Sequence, residues 1–209
     1  IPFDSFPGGE VRRGYYERVP IGVVLAITPF NDPLNLVAHK LGPAIAGGNA
    51  VILKPATVTP LSGLKLTEAF MEAGLPTGVL QCITGYGAVL GDALVEDPRV
   101  RMVSFTGGVE AGERIMSRIG LKKVGMELGS NSPVIVWKDA DIDWAVETCV
   151  SGAFWAAGQN CIGVQRIYIH REVYDGFRDD FVARAAAYRT GNKLDESTNM
   201  GPMINEGEA

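Results

Sequence analysis

Cys161 is the residue of this sequence best placed to act as a nucleophile, because it lies in a polar loop over residues 158–163. Glycine and amide residues leave a thiol accessible there, and nearby backbone N–H groups can point at a developing oxyanion. Cys82 and Cys149 lie instead within apolar segments, which is typical of structural thiols. The loop alone leaves two interpretations open: a thiol that attacks a carbonyl carbon, and a merely exposed cysteine.

Glu127 directly follows an apolar segment, and Asn31 lies a few residues after another. In an α/β sheet, ligands bind beyond the carboxyl ends of the strands, so residues at these positions are candidates for function. A carboxylate carried into a cleft at a strand end can act as a general base. Each residue also has a structural alternative. A carboxylate can simply end a strand, and an Asn before Asp-Pro is ordinarily a turn former.

Residues 106–112 form a Gly-x-x-x-x-Gly pattern where a predicted strand meets a predicted helix. Gly107 and Gly112 have no side chains there, so a pyrophosphate can approach the amides at the helix N-terminus. Lys54 ends another predicted strand at the mouth of the sheet, where it can contact a ribose or phosphate. The alternatives are ordinary turn chemistry for the glycines and a solvated charge for Lys54.

These residues must be positioned by short apolar strands that alternate with amphipathic helices. Strands this apolar, separated by helices, predict a parallel sheet covered on both faces. The predicted fold class is therefore α/β: a doubly wound parallel sheet followed by the start of a second α/β domain. We predict an N-terminal arm or hairpin over residues 1–18, a first domain over 19–127 and a partial second domain over 128–209.

The individual elements follow from apolar periodicity and turn residues. The predicted strands are 21–27, 50–54, 79–83, 101–105, 122–126, 133–137 and 164–170. The predicted helices are 34–46, 61–73, 88–95, 109–119, 141–157 and 172–189. Gly74, followed by Pro76, is the predicted stop of the second helix, and Asp139 or Asp141 is the predicted N-cap of the fifth.

The composition excludes several classes of protein. The 209 residues are 46% hydrophobic and carry a net charge of -5 with no basic run, which gives no electrostatic case for nucleic acid. No apolar stretch reaches the roughly 20 residues of a membrane helix, and no secretory signal is present. Three cysteines argue against a disulfide framework and predict a reducing, cytoplasmic compartment. His39 and His170 lie far from any Cys pair at ligand spacing, so no metal site is predicted.

Taken in order along nearly the whole chain, these motifs resemble the NAD(P)-dependent, non-phosphorylating aldehyde dehydrogenase superfamily. The matching segments are Thr28-Pro29-Phe30-Asn31, Leu53-Lys54-Pro55-Ala56, residues 104–112, Met126-Glu127-Leu128-Gly129, Gly158-Gln159-Asn160-Cys161 and Gly201-Pro202-Met203-Ile204. The resemblance implies that residues 19–127 form a Rossmann-like NAD(P)-binding domain and residues 128–209 part of a catalytic domain. It also implies that the partner is a small-molecule aldehyde substrate, which is oxidised to a carboxylic acid.

The resemblance implies three catalytic residues. The Cys161 thiolate adds to the aldehyde carbon, and the Asn31 amide holds the oxyanion together with a backbone N–H near Cys161. After hydride transfer to the nicotinamide, Glu127 activates the water that hydrolyses the thioester, and it can also take the thiol proton. The implied cofactor contacts are Thr28, Pro29, Phe30, Lys54, Thr57, Gly85, Phe105, Thr106, Gly107, Gly108, Gly112 and Leu128.

Four positions depart from the usual pattern of the family. Thr57 stands where many NAD-preferring relatives carry Glu, so the implied cofactor is NAD or NADP. Gly108 stands where the family often has Ser, which loosens the phosphate turn. Asp32 and Asn160 adjoin the oxyanion Asn and the nucleophile, and we expect them to flank the substrate pocket. Candidate contacts for an anionic substrate, otherwise solvated charges, are Arg12, Arg13 and Arg166.

Two alternatives to the hydrolytic enzyme stay open. The thioester can be passed to coenzyme A or phosphate, although a water-activating Glu127 favours hydrolysis. The chain can also be an inactive nucleotide-binding fragment, in which all three thiols would be alkylated equally. Both ends look cut and the chain is under half a typical family length, so we expect little activity from it alone. For the complete enzyme we expect a homo-oligomer, either a dimer or a tetramer.

Overall fold

The computed structural model describes Ser5 and residues 7–209, which cluster into two compact units. The first unit runs to Phe105 and takes in Glu113–Met126. The second consists of Thr106–Gly112 and Glu127–Ala209. The functional assignment of residues 19–127 and 128–209 to a cofactor domain and a catalytic domain stays a prediction.

A five-stranded sheet in the order β3-β2-β1-β4-β5 carries the first unit. β1 pairs in parallel with β2 and with β4, and β2 pairs in parallel with β3. This arrangement confirms the predicted parallel α/β sheet. The strands are β1 (Val23–Ile27), β2 (Ala50–Lys54), β3 (Leu80–Cys82), β4 (Val100–Thr106) and β5 (Lys123–Glu127).

Four helices connect these strands: α1 (Asn35–Ala46), α2 (Leu61–Glu72), α3 (Gly87–Glu96) and α4 (Val109–Met116). Val37 and Leu41 of α1 pack with the buried strand residues Val51, Leu53 and Leu80. Burial of each large side chain of this kind stabilises the fold by about 1.5–3 kcal/mol. The apolar strands therefore fix the plane of the sheet, and the polar residues that follow them are left at its carboxyl edge.

The second unit contains a parallel pair of strands, β6 (Pro133–Val136) and β7 (Arg166–Ile169). They are joined by α5 (Ile142–Phe154) and followed by α6 (Tyr174–Ala186). Val136, Val146 and Phe177 form its buried core. The Asp141 carboxylate accepts a hydrogen bond from the Trp144 N–H at 3.1 Å, so Asp141 is the N-cap of α5. The predicted second α/β unit is thus confirmed.

Of the two forms predicted for residues 1–18, an arm or a hairpin, the described residues fit the arm. Residues 7–22 contain turns but no strand, and the Arg12 N–H donates to the Gly9 carbonyl at 2.9 Å to close one of these turns. A hairpin requires two paired strands, and no strand occurs in the described part of this segment. Residues 1–4 and 6 of the predicted arm lie outside the described residues.

Asn49 connects three elements of the first unit, and we expect its removal to be costly. Its Oδ1 accepts from the N–H groups of Ile21 and Gly22 at 2.6 and 3.1 Å, and its Nδ2 donates to the Ala44 carbonyl at 2.9 Å. Asn49→Ala leaves these backbone groups without partners, so we expect the free energy of unfolding to fall by about 1–3 kcal/mol in chemical denaturation. The exposed Asn35→Ala is the control, and an equal effect of the two substitutions would contradict this role.

Candidate active site

The order of the strands marks the place where an α/β sheet of this type binds ligands. Sequential order reverses between β1 and β4, and ligands bind at the carboxyl ends of the strands flanking such a reversal. In the strand register Ile27 lies opposite both Lys54 and Phe105. Thr28 directly follows Ile27. Three of the predicted cofactor residues therefore lie at one edge of the sheet on adjacent strands.

Thr28 and Lys54 are buried polar residues at this edge. The Thr28 N–H donates to the Lys54 carbonyl at 3.2 Å, but the Thr28 hydroxyl has no hydrogen-bond partner among the described residues. The Lys54 Nζ donates to the Pro55 carbonyl at 3.2 Å and meets no carboxylate in the described part of the chain. Burial lowers the pKa of Lys54. A buried hydroxyl and a buried ammonium with donors to spare fit a polyhydroxylated, phosphorylated ligand.

Thr57 and Gly85, both predicted to contact the cofactor, are joined by a hydrogen bond. The Thr57 hydroxyl donates to the Gly85 carbonyl at 3.1 Å. Thr57 is exposed, and no carboxylate among the described residues pairs with Lys54. This hydrogen bond links the loop after β2 to the loop after β3, and its two groups are uncharged.

Asn31 follows β1 in a tightly turned segment. Asp32 has a left-handed backbone with φ 44°, and its carbonyl accepts from the Leu36 N–H at 2.9 Å where α1 begins. The Thr59 hydroxyl donates to the Phe30 carbonyl at 3.1 Å. The half-buried Asn31 side chain makes no hydrogen bond to any described residue, so both amide donors are available. Hydrogen bonds therefore hold the backbone on either side of Asn31, whereas the Asn31 amide keeps its donors for a ligand.

In the second unit, the glycine turn and the predicted base lie side by side. The Gly107 N–H donates to the Glu127 carbonyl at 3.0 Å. A Cβ on Gly112 would lie 2.5 Å from Leu128 Cδ2, so the first turn of α4 packs directly on Leu128. A Cβ on Gly108 would meet nothing within 4 Å. The Glu127 carboxylate is exposed and forms no ion pair with a described residue. Gly107 and Glu127, and likewise Gly112 and Leu128, which were each predicted singly as site residues, are therefore in contact.

Cys161 is a free, half-buried thiol in the loop that follows α5. The backbone N–H groups of Cys161 and Ile162 donate to no acceptor among residues 7–209, whereas residues 161–162 form a turn closed by Gly163. Two consecutive free donors next to a thiol can stabilise negative charge on a sulfur or an adjacent oxygen. Burial raises the pKa of the Cys82 and Cys149 thiols, which favours their protonated, unreactive form.

Sequence reasoning missed the contacts of Gln159, Asn160 and Arg166. Gln159 and Asn160 make side-chain hydrogen bonds that close the loop around Cys161. Arg166 donates from Nε to the Asn131 carbonyl at 2.8 Å, and its guanidinium also reaches the Tyr168 hydroxyl at 3.4 Å. Arg166 therefore supports the segment after Glu127, and its predicted availability to an anionic substrate is reduced. The only signal in the sequence was the pair of amide residues directly before Cys161.

Asn31 belongs to the first unit, whereas Glu127 and Cys161 belong to the second.

No group of three or more His, Cys, Asp or Glu residues suited to a metal ion occurs in the part of the chain that the structure describes. None of the helices within that part has the length and apolarity that crossing a bilayer requires.

Comparisons with known proteins cover nearly the whole chain. The model of a family described as "Aldehyde dehydrogenase family" matches residues 3–209. The chain is 58% identical over 206 residues to aspartate-semialdehyde dehydrogenase 1 of Pseudomonas canavaninivorans, covering 99% of this chain and 44% of the relative. It is 51% identical over 209 residues to 3-sulfolactaldehyde dehydrogenase of Priestia aryabhattai, covering 100% of this chain and 44% of that relative.

A solved structure gives the same result for the fold. Glyceraldehyde-3-phosphate dehydrogenase of Methanocaldococcus jannaschii, complexed with NADP, superposes with a TM-score of 0.85 and 44% sequence identity. The match covers 90% of this chain and 42% of that one. The chain thus spans less than half the length of each of these proteins.

Proposed function

Since this chain belongs to the aldehyde dehydrogenase family, we propose that the protein oxidises an aldehyde to a carboxylic acid with NAD or NADP. The observation that carries the proposal is the Cys161 loop, in which an unpaired thiol adjoins two backbone N–H groups, those of Cys161 and Ile162, that have no acceptor in the described part of the chain. A nucleophile next to preorganised donors suits the addition of a thiolate to a carbonyl.

In the proposed mechanism, the Cys161 thiolate attacks the aldehyde carbon to form a hemithioacetal. The Asn31 amide and a backbone N–H of the Cys161 loop hold the resulting oxyanion. NAD(P), when bound, supplies the acceptor for the hydride that leaves this carbon. Glu127 then removes a proton from the water that hydrolyses the thioester on Cys161, and the carboxylic acid departs. The exposed and unpaired carboxylate of Glu127 supports this role as a base.

For the cofactor, we propose that Lys54 and Thr28 contact the ribose or phosphates through the buried ammonium and the unpartnered hydroxyl. The turn at Gly107 and Gly108 would receive the pyrophosphate at the N-terminus of α4, where backbone N–H groups attract anions. The open space around a Cβ at Gly108 supports a close approach of a ligand to this turn. The other predicted contacts are Pro29, Phe30, Thr57, Gly85, Phe105, Thr106, Gly112 and Leu128.

For the substrate, we propose a short aldehyde that carries an anionic group. The names of the three relatives support this class, because aspartate semialdehyde, sulfolactaldehyde and glyceraldehyde 3-phosphate bear a carboxylate, a sulfonate and a phosphate. The cytoplasmic location and the dimeric or tetrameric assembly of the complete enzyme stay predictions.

The test is NAD(P)H formation by the whole protein that carries this chain, with matched aldehydes of equal length. We expect kcat/KM to be at least about tenfold higher for succinic semialdehyde than for butyraldehyde, which corresponds to roughly 1.4 kcal/mol of added binding in the transition state. NAD(P)H formation without coenzyme A or phosphate is expected. Strict dependence on either would favour acyl transfer over hydrolysis, and no NAD(P)H formation with any aldehyde would contradict the proposal.

Thr57→Glu is expected to change the choice of cofactor. A carboxylate at this exposed position, beside the loop that carries Lys54, would hydrogen-bond a free ribose but repel a 2′-phosphate. We expect the kcat/KM ratio of NADP to NAD to fall about 10–100-fold. Steady-state kinetics with each cofactor measure this ratio, and Thr57→Gln is the uncharged control. An equal fall with glutamine would show that charge is not the cause.

A further inference from the structure

The backbone directly before Cys161 is held in a conformation that its residues disfavour. Ala156 and Ala157 have left-handed backbones with φ 52° and 55°, and Gly158 follows with φ 74°. A left-handed conformation costs a residue with a Cβ roughly 1–2 kcal/mol. Such strain persists only where surrounding contacts enforce it, and it concentrates at functional sites. The side chains of Gln159 and Asn160 supply contacts of this kind.

Gln159 makes one of these contacts with both ends of its amide. Its Nε2 donates to the Ala156 carbonyl at 2.9 Å, and its backbone N–H donates to the same oxygen at 3.1 Å. Its Oε1 accepts from the Ile204 N–H at 2.9 Å. The side chain thus ties the left-handed turn to a segment 45 residues further along the chain.

Asn160 closes the turn from its other side. Its Nδ2 donates to the Trp155 carbonyl at 2.9 Å, across the strained residues. Its Oδ1 is buried and has no hydrogen-bond partner among the described residues, and it would lie 3.2 Å from a Cβ on Gly163. A buried acceptor without a partner costs about 1–3 kcal/mol, so the arrangement is poorly explained by stability alone.

We propose that Gln159 and Asn160 are positioning residues, whose amides lock the left-handed turn and thereby fix the Cys161 thiol and the free N–H groups of Cys161 and Ile162. This inference rests on the proposed function, because it assigns a purpose to the loop of the proposed nucleophile. Neither side chain needs to touch the substrate. Each acts through the backbone that carries Cys161.

To hold the turn, the Gln159 side chain must donate one hydrogen bond and accept another. Gln159→Met keeps the length of the side chain but loses both bonds. Gln159→Glu keeps an acceptor for the Ile204 N–H but loses the donor to the Ala156 carbonyl. The exposed Gln165, which follows the loop and makes no hydrogen bond to a described residue, provides Gln165→Met as the matched control.

The experiment measures the rate at which iodoacetamide alkylates each of the three cysteines, read by peptide mass spectrometry, alongside kcat and KM of the whole protein. We expect Gln159→Met to slow labelling of Cys161 several-fold and to lower kcat about 10–100-fold, with KM changed by less than about threefold. Gln159→Glu should behave similarly. Labelling of Cys82 and Cys149 and the unfolding midpoint should not change, and Gln165→Met should match the unsubstituted protein.

A rescue variant separates positioning from a general loss of structure. Ala157→Gly removes the steric penalty at one of the two left-handed alanines, so in the Gln159→Met background it should restore part of the Cys161 labelling rate. Unchanged Cys161 labelling and kcat in Gln159→Met would overturn the inference and leave the proposed function standing. Faster labelling of all three cysteines would overturn it as well, since the fold would then be loosened as a whole. Equal labelling of the three thiols in the unsubstituted protein would contradict the proposed function itself.

Discussion

Cys161→Ala is expected to abolish aldehyde-dependent NAD(P)H formation, lowering kcat by about 10⁴-fold or more. The substitution removes the sulfur that forms the hemithioacetal, and no other described cysteine can replace it. Cys82 lies on β3 and Cys149 on α5, and burial raises the pKa of both thiols. The measurement is the initial rate of absorbance increase from the reduced nicotinamide with saturating aldehyde.

Cys82→Ala is the control for this prediction, because it removes a thiol outside the loop. We expect it to keep kcat within about threefold of the unsubstituted protein. Residual activity of Cys161→Ala above about a tenth of the original kcat would mean that a different group attacks the aldehyde.

Glu127→Gln is expected to have the second largest effect, a fall of about 10²–10⁴-fold in steady-state turnover. An amide cannot take a proton from water at neutral pH, so the thioester on Cys161 accumulates. Addition of the thiolate and hydride transfer need no water, and a rapid burst of up to one NAD(P)H per Cys161 should therefore remain. Stopped-flow absorbance measures the burst and the slow phase separately.

The matched control for this prediction is Glu147→Gln, which changes an exposed carboxylate on α5 that pairs with no described residue. We expect its kinetics to match those of the unsubstituted protein. Loss of the burst in Glu127→Gln would indicate that Glu127 removes the proton of the Cys161 thiol. Unchanged turnover would show that Glu127 is not a catalytic base.

Most of the fold is predictable because its strands are strongly apolar. β2 occupies the predicted residues 50–54, and Gly74 has φ 88° after α2, as its predicted place after the last helical turn requires. Errors lie at the ends of elements, where local signals are weakest. The predicted α4 reaches Ile119, whereas the observed helix ends at Met116 and continues into a turn at residues 117–118.

The loop of the nucleophile illustrates what local sequence signals do not contain. The alanines before Gly158 favour helix, and the predicted fifth helix accordingly continued to Ala157. In the structure α5 ends at Phe154, and Ala156 and Ala157 are left-handed. The contacts that enforce this turn include one to Ile204, which no local pattern can anticipate. Tertiary contacts override helix propensity at the point where Cys161 must be presented.

The catalytic and cofactor residues stood out because polar or glycine residues follow apolar strands. Their contacts depend on the order of the strands, since β1 and β4 become neighbours only after the sheet has formed. The hydrogen bond between Thr57 and Gly85 depends in the same way on the pairing of β2 with β3. The types of the site residues were thus predictable, whereas their hydrogen bonds were not.

The central claim is that Cys161 carries the acyl group, and the mass of the Cys161 peptide tests it most directly. The Glu127→Gln protein would be mixed with aldehyde and NAD(P), quenched in acid during the burst and digested. We predict that the peptide containing Cys161 gains the mass of the acyl group, while the Cys82 and Cys149 peptides do not. Formation of NAD(P)H with no adduct on Cys161, or with the adduct on another residue, would contradict the account.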